Sequence, residues 1–518
     1  SAGGGGRGMR VVEDPAILDA AIAEAEAEAA AAFGDATVFV EPYLPTARHV
    51  EVQVLADRHG TCWILGERDC SIQRRHQKVV EETPAPGLSD DVRTRLHDAA
   101  RAAVAAVDYV GAGTVEFLVD GAERSDGTLS FLEMNTRLQV EHPVTECVWG
   151  VDLVELQIAV AEGAALSARF GPASTVPTPE TVDTGPNLGD GHAVEVRVYA
   201  EDPADDWRAQ TGTVRAFEIP GTEFEVPRSY GVRVDAAVEP GTEVGIHYDA
   251  MLAKVVAWAP DRQQAVRMLR GALRRARVHG VVTNIDLLSA ILADEEFGAG
   301  RVHTRLLDDC LALWTTPRRS PEDVHRYAVA AAIAQAYAAQ SSARVQGRIP
   351  AAYRNVPSQP RTRTYLIGDE RVEVSYASER GRLVVDGLEI VEGDARGVRL
   401  RHGSISESYA VDIDGDDVYV DGPRGPLDLR CAPRFTDPAD AVAEGSLLAP
   451  MPASVAAVPV AEKDTVAKGQ AVVVLEAMKM QHTVSAPTDG VVTQIDVAAG
   501  QQVEAGAVLA VIEESEDE

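Results

Sequence analysis

Residues 449–476 read APMPASVAAVPVAEKDTVAKGQAVVVLE, and residues 486–513 read APTDGVVTQIDVAAGQQVEAGAVLAVIE. Set 37 residues apart, the two segments match at Val455/Val492, Val458/Ile495, Val460/Val497, Val466/Val503, Gly469/Gly506, Val474/Val511 and Glu476/Glu513. Alternating valines put one side of each strand into a core, so the repeat predicts two equivalent β halves around a shared interior. The link Ala477-Met478-Lys479-Met480-Gln481-His482 then becomes a protruding hairpin, with Lys479 at its tip. A lysine on a stiff support, with no acid beside it, is suited to carry a swinging arm. The bland alternative is a solvated lysine in a surface turn.

Upstream, residues 361–435 carry short period-2 runs. They are divided by turn signals at Gly368-Asp369, Arg380-Gly381, Asp386-Gly387, Gly393-Asp394, Asp414-Gly415 and Asp421-Gly422. Strands at that spacing predict a small antiparallel barrel or sandwich. A helix precedes them, capped by Ser320 and Asp323 with Pro321 at its first position, and is expected to run to about Val345. Residues 151–313 predict mixed α/β structure with a Pro/Gly-rich excursion at 171–191. The first 150 residues predict helices at 13–33 and 93–107 and β runs at 37–40, 49–56, 61–65, 113–119 and 129–135. The fold class is multidomain α+β, with domains at 1–150, 151–313, 315–435 and 445–514. Ser1 leads straight into the glycine-rich stretch Gly3 to Gly8, and such a loop needs an element on each side. The sequence is therefore expected to begin inside a domain.

The formal charge of −33, from 81 Asp+Glu against 48 Lys+Arg, argues against nucleic acid or an anionic membrane as the main partner. No apolar run approaches the roughly 20 residues of a membrane span. The five cysteines are scattered without metal-knuckle spacing, which predicts reduced thiols and a cytoplasmic protein.

A second constellation lies at Glu133-Met134-Asn135-Thr136-Arg137-Leu138-Gln139-Val140-Glu141. In an extended chain Glu133, Asn135, Arg137, Gln139 and Glu141 share one side. Glu116 lies across the preceding hairpin. Carboxylates on adjacent strands repel unless a cation or a proton intervenes, and Mg²⁺ bridging phosphate oxygens explains such a pair. The competing reading is a solvated sheet face with an Arg–Glu ion pair.

At this point resemblances become specific. Residues Gly3–Met9, Arg48-His49-Val50-Glu51-Val52-Gln53, the run from Arg68 to Lys78, and Glu133–Val144 occur in order. Together they resemble the biotin carboxylase branch of the ATP-grasp ligases over residues 1 to about 313. The repeat with its tip lysine resembles the biotinyl and lipoyl carrier domains, and methionines on both sides match the biotinyl kind. The helix-plus-barrel unit resembles the subunit-bridging domain of propionyl-CoA and 3-methylcrotonyl-CoA carboxylase α subunits. The whole chain thus resembles an N-terminally truncated α subunit of a biotin-dependent acyl-CoA carboxylase.

That resemblance implies an incomplete ATP-grasp domain, a biotin carboxylase C-terminal domain, the bridging helix and β-barrel, and a biotinyl β-sandwich. It implies that Gly5, Gly6 and Met9 close on ATP phosphates, and that Glu41, Leu44, His49, Gln73, His76 and Leu118 line an adenosine pocket. Glu116, Glu133 and Asn135 would hold Mg²⁺ (or Mn²⁺). Lys78, Arg137, Gln139 and the Val140 backbone would bind bicarbonate, with Glu141 as its base. Arg197 would steady the biotin ureido oxygen, and Lys479 would carry biotin. ATP would convert bicarbonate to carboxyphosphate, and the resulting carboxybiotin would serve a separate carboxyltransferase β subunit in a hetero-oligomer. A biotin protein ligase would load Lys479.

Two departures from the family stand out. The strand that supplies a phosphate-contacting lysine before the glycine loop is missing, and Pro42 stands where many relatives have lysine. Two other readings are a non-catalytic biotinylated scaffold and a pyruvate carboxylase fragment. The second would need a large domain between carboxylase and carrier, where only about 120 residues stand.

Overall fold

Strand β1 (Arg48–Ala56) alternates Val50, Val52 and Val54 with His49, Glu51 and Gln53, yet every residue in it is buried. Such a strand needs an apolar layer on one side and a self-satisfied polar layer on the other, and the structure supplies both. The computed structural model describes residues 9–74, 77–121, 127–166, 190–227, 229–316, 319–356, 359–368, 370–435, 445–477 and 480–514. Helix α1 (Leu18–Phe33) comes first. After β1 come β2 (Cys62–Arg74), β3 (Gln77–Thr83), α2 (Asp90–Ala106), β4 (Gly111–Asp120) and β5 (Thr128–Asn135). They are followed by α3 (His142–Trp149), α4 (Leu153–Ala161), β6 (His192–Tyr199), β7 (Thr222–Glu223), β8 (Gly231–Ala236), β9 (Met251–Ala259) and α5 (Arg262–Arg274).

One nine-stranded sheet runs through all nine strands in the order β7-β8-β9-β6-β3-β2-β1-β4-β5. Residues on both sides of position 150 share it, because β3 pairs with β6 at Val80↔Val196 and Glu81↔Glu195. Helix α2, capped by the Ser89 hydroxyl, presents Val92, Leu96, Ala100 and Val104 at four-residue spacing. These pack on Val50, Val52, Val54, Val115, Phe117 and Val119, which covers the apolar face of β1 and β4. The polar face turns the other way, towards α3.

Glu82 on β3 clamps the sheet to α5. Arg262 donates to its two oxygens at 2.6 and 2.9 Å, and His192 lies 2.7 Å from Oε2. Burial alone would raise this carboxyl, but His192 and Arg262 hold it down at about 2 against an ordinary 4.5. A depressed carboxyl contributes stability above its unfolded pKa and loses it as pH falls through the folded one. Glu82→Gln is therefore expected to cost about 1–3 kcal/mol at neutral pH, by leaving the half-buried Arg262 guanidinium without its carboxylate. The gap should close as pH falls from about 4.5 towards about 2. Urea midpoints of the two proteins across that range check it, and equal midpoints at neutral pH would refute it.

The long helix α6 spans Pro321–Ser341, with the Ser320/Asp323 capping box in place. Residues Tyr327 to Ala334 are fully buried on every side of the helix. A helix apolar all round belongs inside something, and here an eight-stranded antiparallel sheet wraps it. The strands run in the order 382–384, 370–379, 361–367, 425–431, 417–422, 405–414, 397–402 and 389–393. The bridge Val385↔Leu388 nearly closes the ring, so the alternative of barrel or sandwich resolves to a barrel around a helix. Alanines at 328, 330, 331, 332 and 334 let the strands approach. At Gly422 a Cβ would lie 2.6 Å from the Tyr327 ring.

Three local expectations need correction. Residues 37–40 form no strand, and Phe39 and Val40 are 78% and 69% exposed. A β run needs a ladder partner, and none pairs with it among the described residues. Helix α6 stops at Ser341 rather than near Val345, where the Ser341 and Ser342 hydroxyls capture the Ala338 carbonyl. Asp421 and Gly422 lie within a strand, and the reversal falls at Pro423-Arg424 between paired Gly422 and Gly425. The excursion at 171–191 lies almost wholly outside the described residues.

The C-terminal repeat folds as two four-stranded sheets. Strands 453–457, 465–466 and 471–477 recur 37 residues later at 490–495, 502–503 and 508–514. Each takes the corresponding place in the other sheet. Ala477 pairs with Met480, while Met478 and Lys479 between them lie outside the described residues. Tyr199, Ala209 and Ala250 are buried in one apolar cluster with this unit's core. Among the described residues no helix is long and apolar enough to cross a membrane.

Candidate active site

Directly opposed ladder positions line up four charged residues across the polar face. Arg68 of β2 faces Glu51 of β1, Glu51 faces Glu116 of β4, and Glu116 faces Glu133 of β5. The neighbouring row is Gln53, Thr114 and Asn135. Arg68 is fully buried and fills its donors with Glu51 (2.6 Å), Gln53 (2.7 Å), Thr145 (2.9 Å) and Thr114 (3.2 Å). That makes it the fixed cation of the layer.

A register shift between β2 and β3 leaves Val79 unmatched, since Ile72 pairs with Val80 but Gln73 with Lys78. Such a bulge re-aims the side chain beside it, and the Lys78 ammonium reaches the carboxylate row. It bonds Glu51, Glu116 at 3.2 Å and Glu141 at 2.5 Å. Burial alone would lower the Lys78 pKa, but Glu51 and the other carboxylates around it raise it well above its ordinary value. Burial would likewise raise Glu51 and Glu116. Lys78 and Arg68 hold Glu51 at about 2, and the His49 bond with Lys78 holds Glu116 at about 2. The interior is a compensated lattice of ions, and Glu141 joins it through Lys78.

Glu141 does not arrive by an extended strand. Strand β5 ends at Asn135, and the chain then turns. His142 closes that turn on the Gln139 carbonyl through Nδ1 at 2.7 Å, and Pro143 stands in the first turn of α3. The polar residues still converge, but through this turn rather than through a two-residue period. Arg137 is exposed and bonds Gln139 at 3.0 Å. The cations on Glu141 are Lys78 on Oε1 and Arg197 on Oε2, the latter at 2.9 Å, so the expected Arg137–Glu141 neighbourhood is replaced by these two. Nor does Arg197 pair with Glu195 or Glu201. Its other partner is Glu81 at 2.6 Å, and Glu201 binds Arg74 at 2.7 Å. The Val140 carbonyl accepts from Lys254 at 2.9 Å, which pins the turn from β9.

Asn135 donates to Glu116 at 2.9 Å and Glu133 at 3.1 Å, and Gln139 reaches Glu116 at 3.3 Å. Two carboxylates and an amide at one spot form an all-oxygen donor set when the Asn135 amide turns its carbonyl inward. That set suits Mg²⁺ or Mn²⁺ rather than a softer ion. Tighter acidic groupings, His49/Glu51/Glu116 and Glu51/Cys70/Glu141, have ligand atoms within 4.8 Å of one another. Lys78 already holds the acids of both. His49 lies 3.0 Å from Glu116 through Nε2 and 3.2 Å from Gln73 through Nδ1, and Leu118 stands opposite His49 in the ladder. Met9, Glu41 and Leu44 stand outside this bonded group, with Met9 60% exposed. Gly5, Gly6, His76 and Lys479 lie outside the described residues.

Sequence reasoning missed Glu51, Arg68, Glu81 and Lys254. The alternation His49-Val50-Glu51-Val52-Gln53 carried the signal for Glu51. No local pattern marked Lys254, which matters only because β9 adjoins β6.

Comparison with known proteins decides the family. Residues 1–169 match the carbamoyl-phosphate synthase L chain ATP-binding domain, residues 195–309 the biotin carboxylase C-terminal domain, and residues 445–512 the biotin-requiring enzyme domain. The methylcrotonoyl-CoA carboxylase α subunit of Dictyostelium discoideum is 36% identical over 98% of this chain and 73% of its own length. The chain belongs to the α subunits of the biotin-dependent acyl-CoA carboxylases. The propionyl-CoA carboxylase α chain of Ruegeria pomeroyi is similar at 35% identity over 98% of this chain and 76% of its own.

Among solved structures, the biotin carboxylase domain of Hydrogenobacter thermophilus 2-oxoglutarate carboxylase, held with MgADP, ADP and bicarbonate, gives a TM-score of 0.53 at 38% identity. That match covers 61% of this chain and 64% of that one. The Campylobacter jejuni biotin carboxylase complex with β-γ-ATP gives 0.52 at 41% identity, over 60% and 63%. The chain therefore spans a little under two thirds of both structures. Rhizobium etli pyruvate carboxylase matches over 61% of this chain and 27% of its own, whereas the α subunits above match through the middle barrel as well.

As a carboxylase α subunit, this chain is a ligase of ATP-grasp fold that works with biotin, ATP, Mg²⁺ and bicarbonate. Its chemistry is ATP-dependent carboxylation of biotin, and α subunits of this family pair with a carboxyltransferase β subunit.

Proposed function

We propose that Glu141 takes the proton from bicarbonate while Lys78 holds the resulting dianion, that Arg197 steadies the biotin ureido oxygen, and that Lys479 carries the biotin. The observation that carries this reading is the clasp on Glu141, one cation to each oxygen, at the edge of the acidic row. A base that gains a proton loses its charge. The carbonate it creates restores that charge beside Lys78, so little reorganisation is required. Gln139 and the exposed Arg137 complete the anion site together with the Val140 N–H. Glu116, Glu133 and Asn135 hold the divalent cation, which would neutralise phosphate charge when bound. His49, Gln73 and Leu118 face the adenosine, with Glu41, Leu44 and His76 as its further lining, and Gly5, Gly6 and Met9 close over the phosphates.

The same proposal assigns assembly to residues 320–435. Val345, Ile349, Tyr353 and Val356 stand exposed between α6 and the barrel, an apolar stretch suited to a protein partner. That partner is the carboxyltransferase subunit of a hetero-oligomer, and a biotin protein ligase loads the carrier. The free cysteines agree with work in a reducing compartment such as the cytoplasm. Deleting 320–435 is expected to abolish co-purification with the carboxyltransferase while Lys479 is still biotinylated. A complex that survives the deletion would place the contact elsewhere. Substitution of Glu141, argued below, tests the catalytic half of this proposal.

A further inference from the structure

Arg197 is held from two sides, and only one side has a place in the chemistry above. Its Nη2 donates to Glu141 Oε2 at 2.9 Å and lies 2.5 Å from Glu81 Oε1, to which its Nε also donates at 2.6 Å. Glu81 stands on β3 directly opposite Glu195 of β6, and both residues are 0% exposed. Neither oxygen of Glu195 finds a hydrogen-bond partner among the described residues, and neither does Glu81 Oε2. Two opposed carboxylates in a dry interior are held apart in charge by their mutual repulsion. The charged groups facing the pair are Arg197, Glu141, Lys78 and Lys254. Lys254 stands opposite Arg197 in the ladder, but its ammonium is taken by the Val140 carbonyl at 2.9 Å and Asp235 at 3.4 Å. Burial lifts both carboxyls. Arg197 opposes that first at Glu81, Lys254 opposes it first at Glu195, and Glu195 ends well above the ordinary value.

We propose that Glu81 is the positioning residue that keeps Arg197 in place through the catalytic cycle, while Glu195 opposite it makes no bond to Arg197. The proposal rests on the reading of Glu141 as base and Arg197 as the partner of the biotin oxygen, and it adds a link between the two steps. Bicarbonate gives its proton to the Glu141 carboxylate, which leaves carbonate and a neutral acid. The Arg197–Glu141 contact thereby changes from an ion pair to a bond with a neutral carboxyl, which is weaker. Glu81 still holds Nε and one side of Nη2, so the guanidinium stays in place and the Nη2 proton that faced Glu141 becomes available for the oxygen of the biotin ureido group. The proton transfer that activates bicarbonate thus also releases the arginine for the second substrate.

The test uses the holoenzyme and two assays, bicarbonate-dependent ATP cleavage without biotin and carboxylation of free biotin. Glu81→Gln is expected to lower kcat/KM for biotin by about 10- to 100-fold, the loss expected for one charged hydrogen bond. Biotin-independent ATP cleavage should stay within about twofold. Glu195→Gln removes no bond to Arg197 and should leave both assays within about twofold. Equal losses in both assays for Glu81→Gln would make Glu81 merely structural. A Glu195→Gln defect as large as that of Glu81→Gln would show that the positioning does not depend on the Glu81 bond. Either result overturns the proposal. Should Glu81→Gln not fold, Glu81→Asp, which keeps the charge but shortens the reach, must show the same biotin-selective loss, and an even loss overturns the proposal. Arg197→Lys separates the two levels. If it leaves biotin carboxylation intact, the underlying reading fails. If it is biotin-defective while Glu81→Gln is normal, only this inference fails.

Discussion

Glu141→Gln is expected to lower the rate of biotin carboxylation by about 10²–10⁴, with nucleotide affinity little changed. The amide keeps the shape and one acceptor but takes no proton. In the structure Glu141 is almost wholly buried, with Lys78 on one oxygen and Arg197 on the other. A glutamine there leaves both cations short of an anion until bicarbonate binds, so bicarbonate binding should survive, and the loss should fall on turnover. A merely structural ion pair predicts the reverse, lower stability with turnover spared. Steady-state rates and nucleotide binding on the two holoenzymes separate the cases, and near-normal turnover in the glutamine protein rules out the base.

Lys479→Arg is expected to abolish biotinylation altogether. Arginine keeps the charge but offers no amine that a ligase can acylate. The repeat leaves no equivalent lysine, because strands 471–477 and 480–485 flank position 479 and its counterpart 37 residues on is Glu516. An avidin blot that still detects the arginine protein would sink the assignment. The same blot on the protein lacking 320–435 keeps the carrier question apart from the assembly question.

How much of this was legible depended on how local the cause was. The carrier was readable because its two halves are copies, so each strand predicts the other. The helix at 321–341 was readable from its cap, but not its place inside a barrel, which rests on alanines packed by strands as far as 100 residues away. On the polar face, Glu116, Glu133 and Asn135 were found because neighbouring strands of one hairpin place them together. The partners of Glu141 were not, because Lys78 reaches it through a bulge and Arg197 through the β3–β6 pairing. A two-residue period grouped the polar residues from Glu133 to Glu141 on one extended face, which is not the geometry the chain takes. The turn before α3 brings them together, and only long-range pairing shows that.

The most direct measurement supplies the biotinylated holoenzyme with radiolabelled bicarbonate, ATP and Mg²⁺, then isolates the carrier fragment bearing Lys479. Label is expected on its biotin, dependent on ATP and strongly slowed in the Glu141→Gln protein. A biotinylated wild-type carrier that never acquires label, or a glutamine protein that labels at the wild-type rate, would contradict the account.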